Sequence, residues 1–176
     1  MNMSASLPSY PDFIPEIPPN ARPGYHAIAR LFDYAIARRL KHPKITVQTS
    51  DGTVVVLRVA GKKSKYEGQI QIVGEGSFYE RAYYGRIDHD GQLYGTSELT
   101  DSIEELLFDL DSDPLQFAFK YGKTTGNCCF CDRPLTDPRS AAHGYGRVCA
   151  GHYGLPWDAD RKNRGFVPCE SGDESQ

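Results

Sequence analysis

Cys128, Cys131, Cys149 and His152 are spaced C-x2-C, then seventeen residues, then C-x2-H. A chain with that spacing is confined to folds that bring two short turns face to face. Each turn points two side chains the same way, and two such pairs close a tetrahedron around one ion. The spacing therefore predicts a structural Zn2+ site. Four protein ligands leave no position for a substrate water, which favours a folded binding module over a zinc hydrolase. The fourth position has three candidates. His152 ranks first, His143 second and Cys129, beside Cys128, third. Cys169 is remote from the others. Gly144 and Gly146 allow a tight backbone approach before Cys149. A knuckle, an irregular span and a pair opening a helical turn together predict a treble-clef-like module.

Upstream, the pattern predicts an α+β fold. Ile28, Leu31, Phe32, Ala35, Ile36 and Leu40 recur at helical spacing across residues 24–41, between Pro23 and Pro43. An antiparallel β-meander follows over 45–95. Ile45–Thr49 and Thr53–Ala60 flank Ser50-Asp51-Gly52, Gln69–Val73 alternates, and Ala82–Asp88 and Gln92–Tyr94 flank Asp90-Gly91. Val55, Leu57 and Val59 should share one face. Two short helices come next. Asp101 with Glu104 fits a capping box ahead of Ile103, Leu106, Leu107 and Leu110. Asp113 should cap a helix over Leu115–Tyr121, with Pro114 in its first turn and Gly122 as its stop. The expected organisation is an extended Pro-rich arm (1–22), an α+β domain (23–122), a zinc-binding module (123–160) and a flexible tail (161–176).

Composition narrows the setting. No apolar run approaches the roughly 18 residues of a membrane span, and Met1–Pro19 lacks the pattern of a secretory signal. A cytoplasmic location is expected. There, cysteines in metal spacing favour zinc over disulfides. Residues 21–65 carry ten Lys/Arg against two acids, 66–119 two against twelve, and 120–165 eight against four. Such segregation either neutralises itself by packing or builds opposed surface fields that steer a charged partner. The loop Lys62, Lys63, Lys65 and Tyr66 suits a nucleic-acid backbone with Tyr66 stacking on a base. Arg133, Arg139 and Arg147 interleave with the metal turns and suit phosphates or carboxylates. A plain solvated surface is the simpler reading of both sets.

Gly122-Lys123-Thr124 imitates the end of a phosphate-binding loop, but Phe117 stands where that loop needs glycine. Cys129 with His143 or His152 has the composition of a thiol nucleophile and base, although zinc accounts for the same residues.

The stretch Gly126-Asn127-Cys128-Cys129-Phe130-Cys131-Asp132-Arg133-Pro134-Leu135-Thr136-Asp137, then Ser140, then Gly144-Tyr145-Gly146-Arg147-Val148-Cys149-Ala150 resembles an uncharacterised family of small phage, plasmid and bacterial proteins. That family's pattern runs G-x-C-x-x-C-x-R-x-L-T-D, a Ser, then G-x-G-x-x-C. The resemblance implies a zinc-binding domain on a mobile-element protein. Asp132 stands where relatives often carry Gly, and the position of His152 is not always a ligand type among them.

The expected function is a non-enzymatic zinc-binding accessory or effector protein. It acts by binding nucleic acid or a nucleic-acid-processing protein, with no membrane and no small-molecule substrate. The rivals are an enzyme, a nuclease or thiol-dependent, sited in the Cys/His region, and a structural accessory protein with a zinc staple.

Overall fold

The computed structural model describes residues 24–157. The Pro-rich arm (1–22), the tail (161–176) and Cys169 lie outside the described residues. Helix α1 (His26–Ala37) precedes β1 (Lys44–Gln48), β2 (Val54–Val59), β3 (Ile70–Gly74), β4 (Tyr83–Ile87) and β5 (Leu93–Gly95). Helices α2 (Asp101–Ser112), α3 (Pro114–Thr125), α4 (Pro138–His143) and α5 (Arg147–Tyr153) follow. The mixed α+β class is as expected. The strands form one antiparallel sheet in sequence order, β1-β2-β3-β4-β5.

Alternation decides which face is covered. Ile45 and Val47 of β1, Val55 and Leu57 of β2, Ile70 and Ile72 of β3 and Ile87 of β4 all lie buried. The register sets Ile45 opposite Leu57 and Leu57 opposite Ile72, so these aliphatic side chains share one side. Onto that side pack Ile28, Leu31, Phe32 and Ala35 of α1 and Ile103, Leu106, Leu107 and Leu110 of α2. At about 25 cal/mol per Å2 of apolar surface removed from water, this burial is the main force closing the sheet against its helices.

The same buried cluster continues without a break into Leu115 and Ala118 of α3, then into Cys128, Cys129, Phe130, Tyr145, Cys149, Ala150, Tyr153 and Leu155. The cysteine region thus shares the core of the sheet.

Two expectations at helix ends need correcting. The first helix of the pair is capped by Thr100, not Asp101. The Thr100 carbonyl accepts from the amides of Ile103 and Glu104, at 3.0 and 3.1 Å, and no side chain closes a capping box. Gly122 does not stop α3, which runs on to Thr125 and ends at Gly126 in the left-handed region (φ 75°). Gly122 is buried in mid-helix because α3 meets Gly144 there. A Cβ on Gly122 would lie 2.6 Å from the Gly144 Cα. Asp113 caps α3 as expected, its carboxylate accepting from the Gln116 amide at 3.0 Å.

Candidate metal centre

Between α3 and α4 the chain folds back on itself as a small hairpin. Asn127 bridges Pro134, the Cys128 amide donates to the Arg133 carbonyl at 2.9 Å, and the Leu135 amide donates to the Gly126 carbonyl at 2.8 Å. At its tip the Asp132 amide donates to the Cys128 carbonyl at 2.7 Å, and Asp132 holds a left-handed backbone (φ 59°). Glycine enters that region freely and Asp tolerates it better than most residues. This gives a physical reason for the Gly that the resemblance places there.

The second ligand arm depends on short elements that are capped at both ends. Asp137 opens α4, accepting from the amides of Arg139 and Ser140 at 2.8 and 3.2 Å, and Gly144 closes it (φ 83°). Gly144 also touches α3, and a Cβ there would overlap the Ala118 carbonyl. Gly146 then begins α5, whose first turn carries Cys149.

The two arms bring the sulfurs of Cys128, Cys131 and Cys149 within 4.8 Å of one another. Cys128 and Cys149 are buried and Cys131 is half-buried. Backbone amides surround the first thiol. The Cys149 thiol, the strongest influence, and amides of Gly146, Phe130 and Cys131 bond to Cys128 and lower its pKa to about 6 against the burial that raises it. The neighbouring thiols respond oppositely. Cys149 is pushed up by its hydrogen bond to Cys128 and by burial, and Cys131 is pushed up by burial although the Arg133 amide bonds to it. Three close sulfurs cannot all ionise unaided, and a soft divalent cation removes that conflict by neutralising all three. The donor set and the converging amides therefore fit a thiolate-bound metal.

The other proposed ligands lie outside this trio. Cys129 is fully buried, with its pKa pushed well up by burial, and its carbonyl accepts from the Thr46 amide of β1 at 2.7 Å. Its side chain belongs to the core. The His143 ring stacks on Trp157 with centroids 4.7 Å apart and leans against Tyr145. His152 is half-buried on α5, one turn after Cys149.

An aromatic wedge fixes the trio to the sheet. Phe130 packs on Tyr153 with centroids 4.7 Å apart and meets Tyr145 edge-on at 6.2 Å. The Tyr153 hydroxyl accepts from the Lys44 amide at 3.1 Å and donates to the Lys44 carbonyl at 2.8 Å.

The basic residues singled out in the sequence do not converge. Arg133 and Arg147 are exposed, and Arg139 pairs with its own helix cap, Asp137, at 3.6 Å. Tyr66 is engaged, because the Arg86 guanidinium lies 3.9 Å over its ring and 4.1 Å over that of Tyr94. Lys65 lies 5.4 Å from the Tyr66 ring, and Lys63 is exposed on the same loop. Lys62 alone of these lines a groove on the face of the sheet away from the aliphatic core, together with Arg39, Lys41, Lys44, Arg58 and Arg81. Those five were not grouped by sequence reasoning. The available signal was the alternation itself, since Lys44 and Arg58 take the outward positions of β1 and β2 and pair directly across the ladder.

The chain is thus a mixed α+β protein with a three-thiol cluster suited to a metal ion. The sequence profile of a family of unknown function, DUF6011, matches residues 118–154. That span begins in α3, before the close approach at Gly122, and ends just after α5. Neither the curated proteins nor the solved structures yield a match to the chain.

Proposed function

We propose that the chain is a non-enzymatic zinc-binding accessory or effector protein of a phage or other mobile element, working in the cytoplasm. It acts by binding nucleic acid or a nucleic-acid-processing protein. The observation that carries this reading is the thiol trio, brought together from the hairpin after α3 and the first turn of α5; in this reading the module is treble-clef-like. His152 completes the ligand set in this reading. It is one helical turn from Cys149, whereas Cys129 is core and His143 is stacked on Trp157. Zinc supplies folding free energy on the order of 10 kcal/mol to such a module and holds Phe130 and Tyr153 against β1. Burial of Cys129 weighs against the rival thiol enzyme, whose nucleophile must be reached by substrate. Among the described residues no helix is long and apolar enough to cross a membrane.

The test has two readouts on the full chain. Metal analysis should find one zinc per chain, lost in Cys131→Ser, and cobalt substitution should give the spectrum of a three-sulfur, one-nitrogen site. Retention from cytosol by the tagged zinc-loaded protein should be compared with and without nuclease and chelator. A chain that binds no zinc, or whose retained species are indifferent to both treatments, refutes the reading.

A further inference from the structure

The face of the sheet turned away from the aliphatic core carries a feature that the metal centre does not explain. Lys44, Arg58, Gln71, Arg86 and Tyr94 stand in one row across all five strands, and Thr46, Val56, Val73 and Tyr83 in the next. Lys44, Thr46, Val56, Arg58 and Val73 of these rows, with the turn after α1 and the loops following β2 and β3, line a groove of about 1040 Å3. Six of its lining side chains are cationic: Arg39, Lys41, Lys44, Arg58, Lys62 and Arg81. Three acids, Glu67, Glu75 and Asp132, oppose them. Among the described residues none of the six cations is in an ion pair. Arg81 is partly desolvated and lies near enough to Arg58 for the two charges to repel; both effects lower its pKa. A chain of net charge −3 that gathers unpaired cations in one concavity has a surface suited to an anion from outside.

The rim adds the second half of the recognition chemistry. Phe78 and Tyr79, in the turn between β3 and β4, are 71% and 93% exposed and meet edge-on at 5.4 Å. The Arg81 guanidinium lies 5.2 Å over the Phe78 ring. Exposed rings beside a cationic groove match single strands, whose bases are free to stack while the backbone follows the charges. A duplex keeps its bases stacked internally and makes less use of the rings.

We infer that this groove binds single-stranded nucleic acid, with phosphates along the six cations and bases on Phe78 and Tyr79. The inference rests on the proposed binding role and names its surface. Asp132 of the metal hairpin lines the same groove, so the zinc centre also holds one of its walls.

The experiment is fluorescence anisotropy with the zinc-loaded full chain over a salt series. The probes are labelled oligothymidylate and oligouridylate, with a duplex of equal length for comparison. Each phosphate neutralised on a single strand contributes about 0.7 to the slope of log affinity against log salt. The combined variant Arg58→Gln, Lys62→Gln, Arg81→Gln should lower that slope by about 2 and weaken binding roughly tenfold or more at low salt. Phe78→Ala with Tyr79→Ala should weaken single strands about tenfold with the slope unchanged. Arg133→Gln with Arg147→Gln should bind as the parent does. Zinc content and circular dichroism establish that each variant is folded. If the Arg133/Arg147 variant loses binding and the groove variant keeps it, the groove is wrong but nucleic-acid binding stands. Equal affinity for the duplex overturns the single-strand assignment. If the parent binds none of the probes, the inference and the nucleic-acid reading fall together, while its zinc content still tests the metal centre separately.

Discussion

The sheet and the cysteine region lie against one core, yet they are held by different means. In the sheet, five strands share a hydrogen-bonded ladder and a continuous aliphatic face. Among the described residues the only ladder in the cysteine region is the Asn127–Pro134 bridge, and the helices are six and seven residues long. Helices that short do not persist alone in water. Close glycine contacts, left-handed corners and the thiol trio do there what repetition does in the sheet. One region distributes its stability over many similar contacts, and the other concentrates it in a few that have no substitute.

The sharpest test of that contrast is loss of the proposed metal. Chelation, or Cys149→Ser, should cost several kcal/mol and lower the thermal midpoint by about 10 °C or more. Amide exchange should accelerate first over 126–157. Equal acceleration in β2 and β3 would erase the distinction between the regions.

Next in size are paired glycine substitutions. Gly144 and Gly126 share a left-handed backbone, but only Gly144 is crowded, against Ala118 and Phe119 of α3. Gly144→Ala should cost about 2–4 kcal/mol and Gly126→Ala about 1 kcal/mol by chemical denaturation. Similar costs would mean that backbone conformation, not the helix contact, sets the requirement.

Tyr153→Phe probes the seam between the regions. It strips two hydrogen bonds from Lys44 and should cost about 1–3 kcal/mol while the zinc stoichiometry stays the same. A smaller expected effect is that of Cys129→Ala, about 1 kcal/mol from a shallow core defect, again with zinc retained. Loss of the metal would move Cys129 into the ligand set.

The smallest effect belongs to the β1–β2 turn. The Asp51 carboxylate accepts from the Thr49 and Ser102 hydroxyls at 2.6 and 2.8 Å and from the Thr53 amide at 3.0 Å. These bonds, that from Thr49 foremost, hold its pKa well below the usual carboxylate range. A depressed folded pKa contributes stability above the unfolded value of about 4, which is lost as pH falls below it. Asp51→Asn should therefore lower stability slightly at neutral pH, converge with the parent at low pH, and so flatten the acid limb. An acid limb identical to the parent's would remove Asp51 from the pH response.

These differences also explain what could be read in advance. The strands were legible because alternation and turn residues such as Asp51-Gly52 are local signals, and every predicted strand lies within a residue or two of the observed one. The thiols of Cys128, Cys131 and Cys149 were legible because their spacing encodes the turn that joins them. Gly122 was misread because a glycine that ends a helix and one that admits a neighbouring backbone look alike until the neighbour is known. The engagement of Tyr66 was not legible for a related reason: its partner Arg86 lies twenty residues on, in β4. The groove went unrecognised because its cations come from separate segments that only the strand register aligns.

The bonds at Lys44 and Thr46 have a further consequence. β1 is an edge strand, and its outward backbone groups are those that another chain's strand would seek. Tyr153 occupies both polar groups of Lys44, and Cys129 occupies the Thr46 amide. The opposite edge, β5, is only three residues long. Loss of the proposed metal would loosen the cover that Tyr153 and Cys129 give this longer edge and offer it for strand addition. Aggregation should then precede complete unfolding, so that a metal held by the trio would govern the colloidal behaviour of the protein as well as its fold.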